Sequence, residues 1–227
     1  MSVAKRLLKK VALGSKEIGI VLVTALILSA LFRALFVQAF YIPSASMEQT
    51  LMVNDKIMVS KIATRIDGVR RGDVVVFTDP SDWLGVNTPT PGIRGKIESA
   101  LVFVGFLPAN MGEHLVKRVV GIAGDKIKCC DADGNIVVNG MSIKEPQIQA
   151  PTDQVQFEIT VPPGYVFVMG DNRGNSRDSR YHLENGVNGA VPLKNVLGRV
   201  FVIIWPTESF GRVGVPDIYS EIPDPKE

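Results

Sequence analysis

The chain of 227 residues has room for one compact domain with a membrane anchor, or for two small domains. Its hydrophobic content of 46% and mean hydropathy of +0.18 are high for a soluble protein and low for a multi-span membrane protein. Residues 1–16 contain five Lys or Arg and no acid, and the net charge of the whole chain is +2. The remaining residues are therefore slightly acidic, which argues against nucleic acid as a partner.

An apolar segment follows this basic N-terminus. Residues 18–32 contain no charged residue, and residues 34–40, after Arg33, are again largely apolar. About 20 helical residues are needed to cross the hydrocarbon core of a bilayer. Residues 17–38 meet that length if the Arg33 side chain extends to the far interface. We therefore predict one transmembrane helix over residues 17–38.

The charges around this segment predict its orientation. The basic residues before it place residues 1–16 in the cytoplasm and the body of the chain on the extracytoplasmic face. A cleavable secretory signal is the alternative, because Lys-rich, apolar and Val37-Gln38-Ala39 segments follow one another in the appropriate order. The apolar region is longer than a usual signal core and contains Arg33 close to that cleavage site, which favours a retained anchor.

Residues 39–207 have the pattern of a mainly β domain. Short apolar runs rich in β-branched residues alternate with turns that contain Gly, Asp or Asn. The predicted strands are residues 56–62, 73–77, 117–122, 126–128, 165–169 and 198–205, with a further pair inside residues 135–143. Asn139-Gly140 joins that pair, a dipeptide typical of two-residue hairpin turns. Strands of this number and length favour a β-barrel or β-sandwich.

Two regions depart from the strand pattern. Residues 79–113 form a predicted insertion, which begins as a loop rich in Pro, Asp and Thr. Within it, residues 93–107 predict a short amphipathic helix that either lies on the protein surface or enters the membrane interface. After Trp205 the sequence turns polar, which predicts a C-terminal tail over residues 208–227 that is loose over residues 222–227.

The two cysteines, Cys129 and Cys130, are adjacent. They either form a vicinal disulfide or are two small side chains at a strand edge, and we favour the second interpretation. Both histidines, His114 and His182, lie far from the cysteines and from each other in the sequence. This spacing does not match a metal-binding motif, so we predict no metal site and no cofactor.

A short serine-containing segment, residues 41–47, comes directly after the predicted anchor. A serine hydroxyl attacks an amide at a useful rate only when a base lies beside it. His182 with Asp178 would complete a Ser-His-Asp triad, but the chain has no Gly-x-Ser-x-Gly turn. Lys117 stands at the start of an apolar strand, where burial would lower its pKa and free its lone pair. Lys117 is therefore the favoured base.

Four segments, in this order, resemble the conserved boxes of type I signal peptidase, the membrane-bound Ser-Lys endopeptidase that removes signal peptides from exported proteins. They are residues 42–47 (the nucleophile box), 71–77 (a strand box), 116–121 with 124–125 (the base box) and 170–180 (the final box). Each motif alone is weak evidence for this family, but the occurrence of all four in the family's order, behind an apolar segment, is specific. The resemblance extends from about Phe40 to Trp205.

The resemblance implies a catalytic role for each of four residues. Ser46 would be the nucleophile and Lys117 the general base. The Ser44 hydroxyl and the Ser46 backbone N–H would form the oxyanion hole. Ser176 would hydrogen-bond the lysine amine and hold it toward Ser46. The reaction would pass through an acyl-enzyme on Ser46.

The same resemblance implies structural support around this site. Asp178 with Arg180, and Asp171 with Arg118, would form ion pairs that brace the final box. Gly170 would allow its backbone to approach the catalytic lysine closely.

The implied substrate is a signal peptide that ends in an Ala-x-Ala-like site and binds as an added strand. Small pockets for its two alanine-like side chains would be lined by Phe40, Ile42, Met47, Leu51, Val76 and Val116. The implied location is the bacterial cell membrane, with the lipid bilayer and the export translocon as further partners.

Three positions depart from the family pattern. Gln49 stands where a proline is common, His114 replaces an acidic or polar residue, and Gly174 stands where an acid is common in the final box. None of them belongs to the predicted catalytic pair, so these departures concern the shape of the pockets.

Two other functions are compatible with parts of the sequence. A Ser-Lys autoprotease of the transcriptional-repressor or mutagenesis-protein type would use the same two residues, but it would be soluble and would cleave its own Ala-Gly bond. A membrane-anchored β domain that only binds a partner would require Ser46, Lys117 and Ser176 to be incidental. The apolar segment argues against the first, and the joint occurrence of the three residues against the second.

Overall fold

The structure, a computed structural model, describes residues 3–80, 83, 114–148, 150–152 and 154–225. The side chains of residues 3–15, 33 and 34 are not described. The predicted interfacial helix over residues 93–107, and most of the insertion over residues 79–113, lie outside the described residues.

The N-terminal helix, α1, covers Val3–Phe36 and ends two residues earlier than predicted. Residues 37 and 38 belong instead to strand β1, where Val37 pairs with Ser60 and Gln38 with Val59. The pairing partners lie about 20 residues away, so the local apolar pattern did not reveal this strand. Within the described residues, no helix combines the length and the apolar character that a membrane crossing requires.

Eight antiparallel strands form the main sheet in the order β1-β2-β11-β3-β4-β9-β10, with β12 paired to β11. Their bounds are β1 Val37–Tyr41, β2 Lys56–Ser60, β3 Val74–Thr78, β4 His114–Ile122, β9 Tyr165–Met169, β10 Val191–Pro192, β11 Val196–Trp205 and β12 Gly211–Arg212. A short helix, α2, covers Ala63–Ile66 between β2 and β3. The mainly β prediction is confirmed.

A second sheet of four antiparallel strands has the order β7-β6-β5-β8. Its strands are β5 Lys126–Cys129, β6 Ile136–Val138, β7 Met141–Ile143 and β8 Phe157–Thr160. The predicted hairpin joins β6 to β7, and its turn residues Asn139 and Gly140 have φ values of 52° and 85°, as a two-residue turn requires. Strand β8 was not predicted from the sequence.

Three clusters of buried apolar side chains hold these elements together. One lies between β1, β2, β3 and β11, a second joins the second sheet to β9, and a third includes residues of β3, β4 and β9. Strand β4 contributes Val116 to the first cluster, Val120 to the second and Val119 to the third. It is therefore surrounded by packed side chains, and Lys117 lies within it.

The C-terminal segment is not loose over residues 222–225. Tyr219 and Ile222 are buried in the second apolar cluster. The carbonyl of Ile222 accepts a hydrogen bond from Arg71, and that of Pro223 accepts one from Asn139 at 2.7 Å. The apolar side chains that anchor the C-terminal segment are few and show no periodic pattern, and for residues 222–225 the predicted loose tail was wrong.

The adjacent cysteines are joined in a vicinal disulfide, so the interpretation we favoured was wrong. Cys129 is the last residue of β5 and is buried. Both sulfur atoms contact the carbonyl oxygen of Thr152, at 3.0 Å for Cys129 and 3.3 Å for Cys130. The strand end thus directs the two side chains toward the same neighbour, which the sequence did not indicate.

Candidate active site

The structure brings together Ser46 and Lys117, which are 71 residues apart in the chain. Ser46 lies in a single 3-10 turn, Ala45–Met47, shortly after β1, and Lys117 lies near the middle of β4. The Lys117 Nζ donates a hydrogen bond to Ser46 Oγ at 2.5 Å. The exposed fractions are 8% for Ser46 and 3% for Lys117, so water has little access to this contact.

Burial lowers the pKa of Lys117 to about 8, because a charged amine loses its hydration inside the protein. The negative charges of Asp178 and Asp171 oppose this shift, and the positive charge of Arg180 adds to it. With this pKa, about a tenth of the amine is uncharged at pH 7. In that form its lone pair is able to accept a proton from the adjacent Ser46 hydroxyl, as a general base must, and the role of Lys117 as the base stays a prediction.

This pKa predicts how activity depends on pH. Only the uncharged amine accepts a proton, so we expect kcat/KM to rise about tenfold per pH unit below about pH 8 and to level off above it. A series of initial rates on a peptide substrate between about pH 6 and pH 10 measures this profile. A rate that falls as pH rises through 8 would contradict the assignment, because it would require a protonated group.

Ser44 lies beside the nucleophile. Its Oγ is 3.5 Å from Ser46 Oγ, and its backbone is extended, with φ of −128° and ψ of 154°. The residue is exposed, so its hydroxyl can meet an incoming carbonyl. The oxyanion role of Ser44 stays a prediction.

The backbone at Gly170 lies against the nucleophile turn. A Cβ added to Gly170 would overlap both the Ser46 carbonyl oxygen and the Ser176 hydroxyl. The backbone N–H of Asn172 donates to the same Ser46 carbonyl at 3.1 Å. Glycine permits this close approach, which is to the turn that contains Ser46 and to Ser176. The expected close approach to Lys117 stays a prediction.

Ser176 does not contact Lys117 in the way we expected. Its hydroxyl donates to Asp178 Oδ2 at 2.8 Å, and the described residues show no hydrogen bond from it to the Lys117 amine. The same carboxylate oxygen accepts the Gly170 N–H at 2.9 Å. Asp178 is fully buried, so its oxygens accept hydrogen bonds from the neighbouring donors, and this explains the orientation of the Ser176 hydroxyl.

Both expected ion pairs are present. Arg180 donates from Nε and Nη2 to the two oxygens of Asp178, each at 2.9 Å. Burial alone would raise the pKa of Asp178, but the hydrogen bonds and charge of Arg180 hold it below its ordinary value. Arg118 donates to the two oxygens of Asp171 at 2.9 Å and 2.7 Å. These charge-assisted pairs fix both ends of the final box.

Two residues of the final box make contacts that the sequence did not predict. Asn172 Nδ2 donates to the carbonyl of Ala45 at 3.1 Å and to Glu48 Oε2 at 3.0 Å, on either side of the nucleophile. Arg173 is buried, donates to the Gly170 carbonyl at 3.0 Å and pairs with Glu145. Glu145 lies 28 residues earlier, and no local pattern connected the two.

The six residues predicted to line substrate pockets form part of the first apolar cluster. Their exposed fractions are between 0% and 3% for Phe40, Ile42, Met47, Leu51, Val76 and Val116. In this structure they pack against one another in the core, and two of them, Met47 and Val116, are the chain neighbours of Ser46 and Lys117. Their contact with substrate stays a prediction.

The three departures from the family pattern have separate structural settings. Gln49 has a φ of 85°, which proline cannot adopt, so the backbone after the nucleophile turn differs from one that contains proline there. The His114 ring packs edge-on against Phe40, with ring centres 5.6 Å apart. A Cβ added to Gly174 would meet no atom within 4 Å.

The histidine-based triad is not formed. The His182 ring stacks on Trp83, with ring centres 4.3 Å apart, while Asp178 is engaged by Arg180, Ser176 and Gly170. Ser46 instead contacts Lys117. A serine hydroxyl held against a buried amine on a β-sheet scaffold defines the class of the protein as a serine hydrolase.

The comparisons with known proteins identify the family. The model of the family described as "Signal peptidase, peptidase S26" matches residues 15–205. The signal peptidase I of Mycobacterium tuberculosis (strain ATCC 25618 / H37Rv) is 35% identical over 87% of this chain and 75% of that protein. The signal peptidase I of Leptolyngbya laminosa is 34% identical over 91% of this chain and 85% of that protein. The chain belongs to the signal peptidase family, peptidase S26, and is an endopeptidase of the serine hydrolase type.

A solved signal peptidase I from Enterococcus faecalis V583 is 24% identical and covers 58% of this chain and 95% of its own. The TM-score is 0.36, too low to support an argument about the fold. Membership of the family disfavours both alternatives considered from the sequence, the autoprotease and the domain that only binds a partner.

Proposed function

We propose that this chain removes N-terminal signal peptides from exported preproteins, cutting after an Ala-x-Ala-like site by means of Ser46 and Lys117. The observation that carries the proposal is the 2.5 Å contact between Lys117 Nζ and Ser46 Oγ inside a water-poor site. Family membership supports the substrate class, since the relatives are named as signal peptidases.

The first chemical step is acylation. Uncharged Lys117 takes the proton from Ser46 Oγ as that oxygen attacks the scissile carbonyl carbon. The negative charge that develops on the carbonyl oxygen is stabilised by the Ser46 N–H and the Ser44 hydroxyl. The lysine ammonium then gives its proton to the leaving amine, which is the new N-terminus of the exported protein. The signal peptide stays on Ser46 as an ester.

The second step is hydrolysis of this ester. Lys117, uncharged again, takes a proton from a water molecule that attacks the ester carbonyl. The proton passes to Ser46 Oγ as the bond to the peptide breaks, which restores the enzyme. Asp178, Gly170 and Ser176 keep the loop beside the pair in place through their mutual hydrogen bonds.

The substrate binds as an extended strand beside the nucleophile segment and β4. The preference for small side chains comes from the tight packing of the first apolar cluster, whose members include the chain neighbours of Ser46 and Lys117. Met47 adjoins Ser46 and Val116 adjoins Lys117, so the buried side chains of both limit the depth available to a substrate residue.

Helix α1 anchors the protein in the bacterial cell membrane. Its large apolar side chains from Ile18 to Phe32 are more than half exposed, and no folded element of the described residues covers them. The basic residues 1–16 lie in the cytoplasm, and residues 39–207 form the catalytic domain on the other face. The lipid bilayer is therefore a partner, and the export translocon delivers the substrate.

A pair of matched precursors tests the function. The purified full-length chain in lipid vesicles is incubated with a precursor whose signal peptide ends in Ala-x-Ala, and with the same precursor carrying leucine at both alanine positions. We expect one cut after the second alanine, and a rate at least about tenfold lower for the leucine version, because a bulky side chain does not fit above the packed cluster. Mass spectrometry of the new N-terminus locates the cut. Equal rates for the two precursors would overturn the proposed specificity.

A further inference from the structure

Tyr219, in the C-terminal segment, is buried against residues that are distant from it in the sequence. It belongs to a 3-10 helix, Asp217–Ser220, and its exposed fraction is 3%. Its ring packs against the backbone of Gly72, where an added Cβ would lie 2.8 Å from a ring carbon. The Gly72 carbonyl in turn accepts a hydrogen bond from Arg118 Nη1 at 2.7 Å. Tyr219 is therefore linked, through Gly72 and Arg118, to Asp171 of the final box.

The Tyr219 hydroxyl donates to one oxygen of Glu145. Burial, together with the negative charge of Glu145, raises the pKa of Tyr219 well above its ordinary value, so the hydroxyl keeps its proton. The other oxygen of Glu145 accepts from Arg173 Nη2, and both of these side chains are nearly inaccessible to water. The carboxylate thus joins the C-terminal segment to the final box.

Arg173 links Glu145 to the backbone beside Ser46 and Lys117. Its Nε donates to the Gly170 carbonyl at 3.0 Å, and its own carbonyl accepts from Arg180 at 2.9 Å. Gly170 is the residue whose backbone lies against the Ser46 carbonyl. The contacts therefore run without a break from Tyr219 through Glu145 and Arg173 to Gly170.

We propose that Tyr219 is a positioning residue for the proposed peptidase reaction, and that it holds the loop of residues 170–180 against Ser46 through Glu145 and Arg173. This inference rests on the proposed function. Without the phenol hydroxyl, that oxygen of Glu145 keeps only the long hydrogen bond from Gln147 Nε2, at 3.3 Å, so the carboxylate turns toward water. Arg173 follows it, and the Gly170 carbonyl loses its partner. The loosened loop then admits water to the Lys117 amine.

The variant Tyr219→Phe tests this inference, since it removes the hydroxyl and keeps the ring. Better hydration raises the pKa of Lys117, so less of the amine is uncharged near pH 7. We expect kcat near pH 7 to fall about tenfold, with KM changed less than about twofold, and kcat to return to the wild-type value near pH 10. The control is Tyr165→Phe, in the same apolar cluster, which we expect to match the wild type at every pH.

A second measurement does not depend on activity. Hydrogen exchange followed by mass spectrometry reports opening of residues 170–180, and we expect faster exchange there in Tyr219→Phe than in Tyr165→Phe. Unchanged exchange in this loop would overturn the inference, and so would a loss of kcat that is equal at every pH. If the wild-type chain leaves the Ala-x-Ala precursor uncut, the proposed function fails, and the exchange experiment still decides the role of Tyr219.

Discussion

Replacing either member of the catalytic pair is expected to abolish cleavage. Lys117→Met keeps the volume of the buried stem and removes the base, and Ser46→Ala removes the attacking oxygen. We expect each to lower kcat/KM on an Ala-x-Ala precursor by at least about 1,000-fold. Lys117→Arg is expected to be equally inactive, because its guanidinium stays charged at every usable pH. Gel separation of precursor and product measures the remaining rate.

The control for these variants is Lys126→Met, which changes an exposed lysine at the start of β5 and is expected to leave the rate unchanged. Circular dichroism of each variant shows whether the sheets are intact. Normal processing by a folded Lys117→Met would reject the assigned base, and normal processing by Ser46→Ala would reject the nucleophile.

Gly170→Ala is expected to lower activity by about 100-fold. The new methyl group would overlap the Ser46 carbonyl and the Ser176 hydroxyl, so either the nucleophile turn or the final box has to move. Displacement of a reacting group by about 1 Å is enough to cost about 100-fold in rate. The same overlap destabilises the fold, because interiors accommodate an extra methyl group poorly. Steady-state kinetics and a thermal unfolding curve measure the two effects.

Gly174 provides a matched control in the same loop. A methyl group added there meets no atom within 4 Å, so Gly174→Ala is expected to keep the wild-type rate and unfolding temperature. If Gly170→Ala retained full activity, the close contact between the final box and Ser46 would not be needed for catalysis.

The loop of residues 170–180 owes its rigidity to buried charges. Arg118, Arg173 and Arg180 are each almost fully buried, and each is paired with a carboxylate. Loss of one partner of such a pair costs about 3–5 kcal/mol, because the remaining charge is left without compensation. Few alternative arrangements of the loop satisfy all three pairs, which holds the groups around Lys117 in one geometry.

Much of the β-sheet scaffold was predictable from local patterns in the sequence. The strand at residues 165–169 and the Asn139-Gly140 hairpin were predictable, because alternation and turn chemistry act over a few residues. Strand β8 was missed, since its four residues include only two apolar side chains. The burial of Tyr219 was missed for a similar reason, because it depends on contacts with Gly72 and Glu145 that are distant in the sequence.

The sequence by itself determined which groups are available for chemistry. The order of four motifs singled out Ser46, Lys117 and the final box, and the ion pairs expected to brace that box are present. Only the tertiary structure decided how these groups work together. The depressed pKa of Lys117 comes from burial in β4, which pairs with β3 and β9, two strands that are distant from each other in the sequence. The Ser176 hydroxyl donates to Asp178 because a buried carboxylate requires hydrogen-bond donors. Both effects depend on long-range packing, which no local pattern of residues encodes.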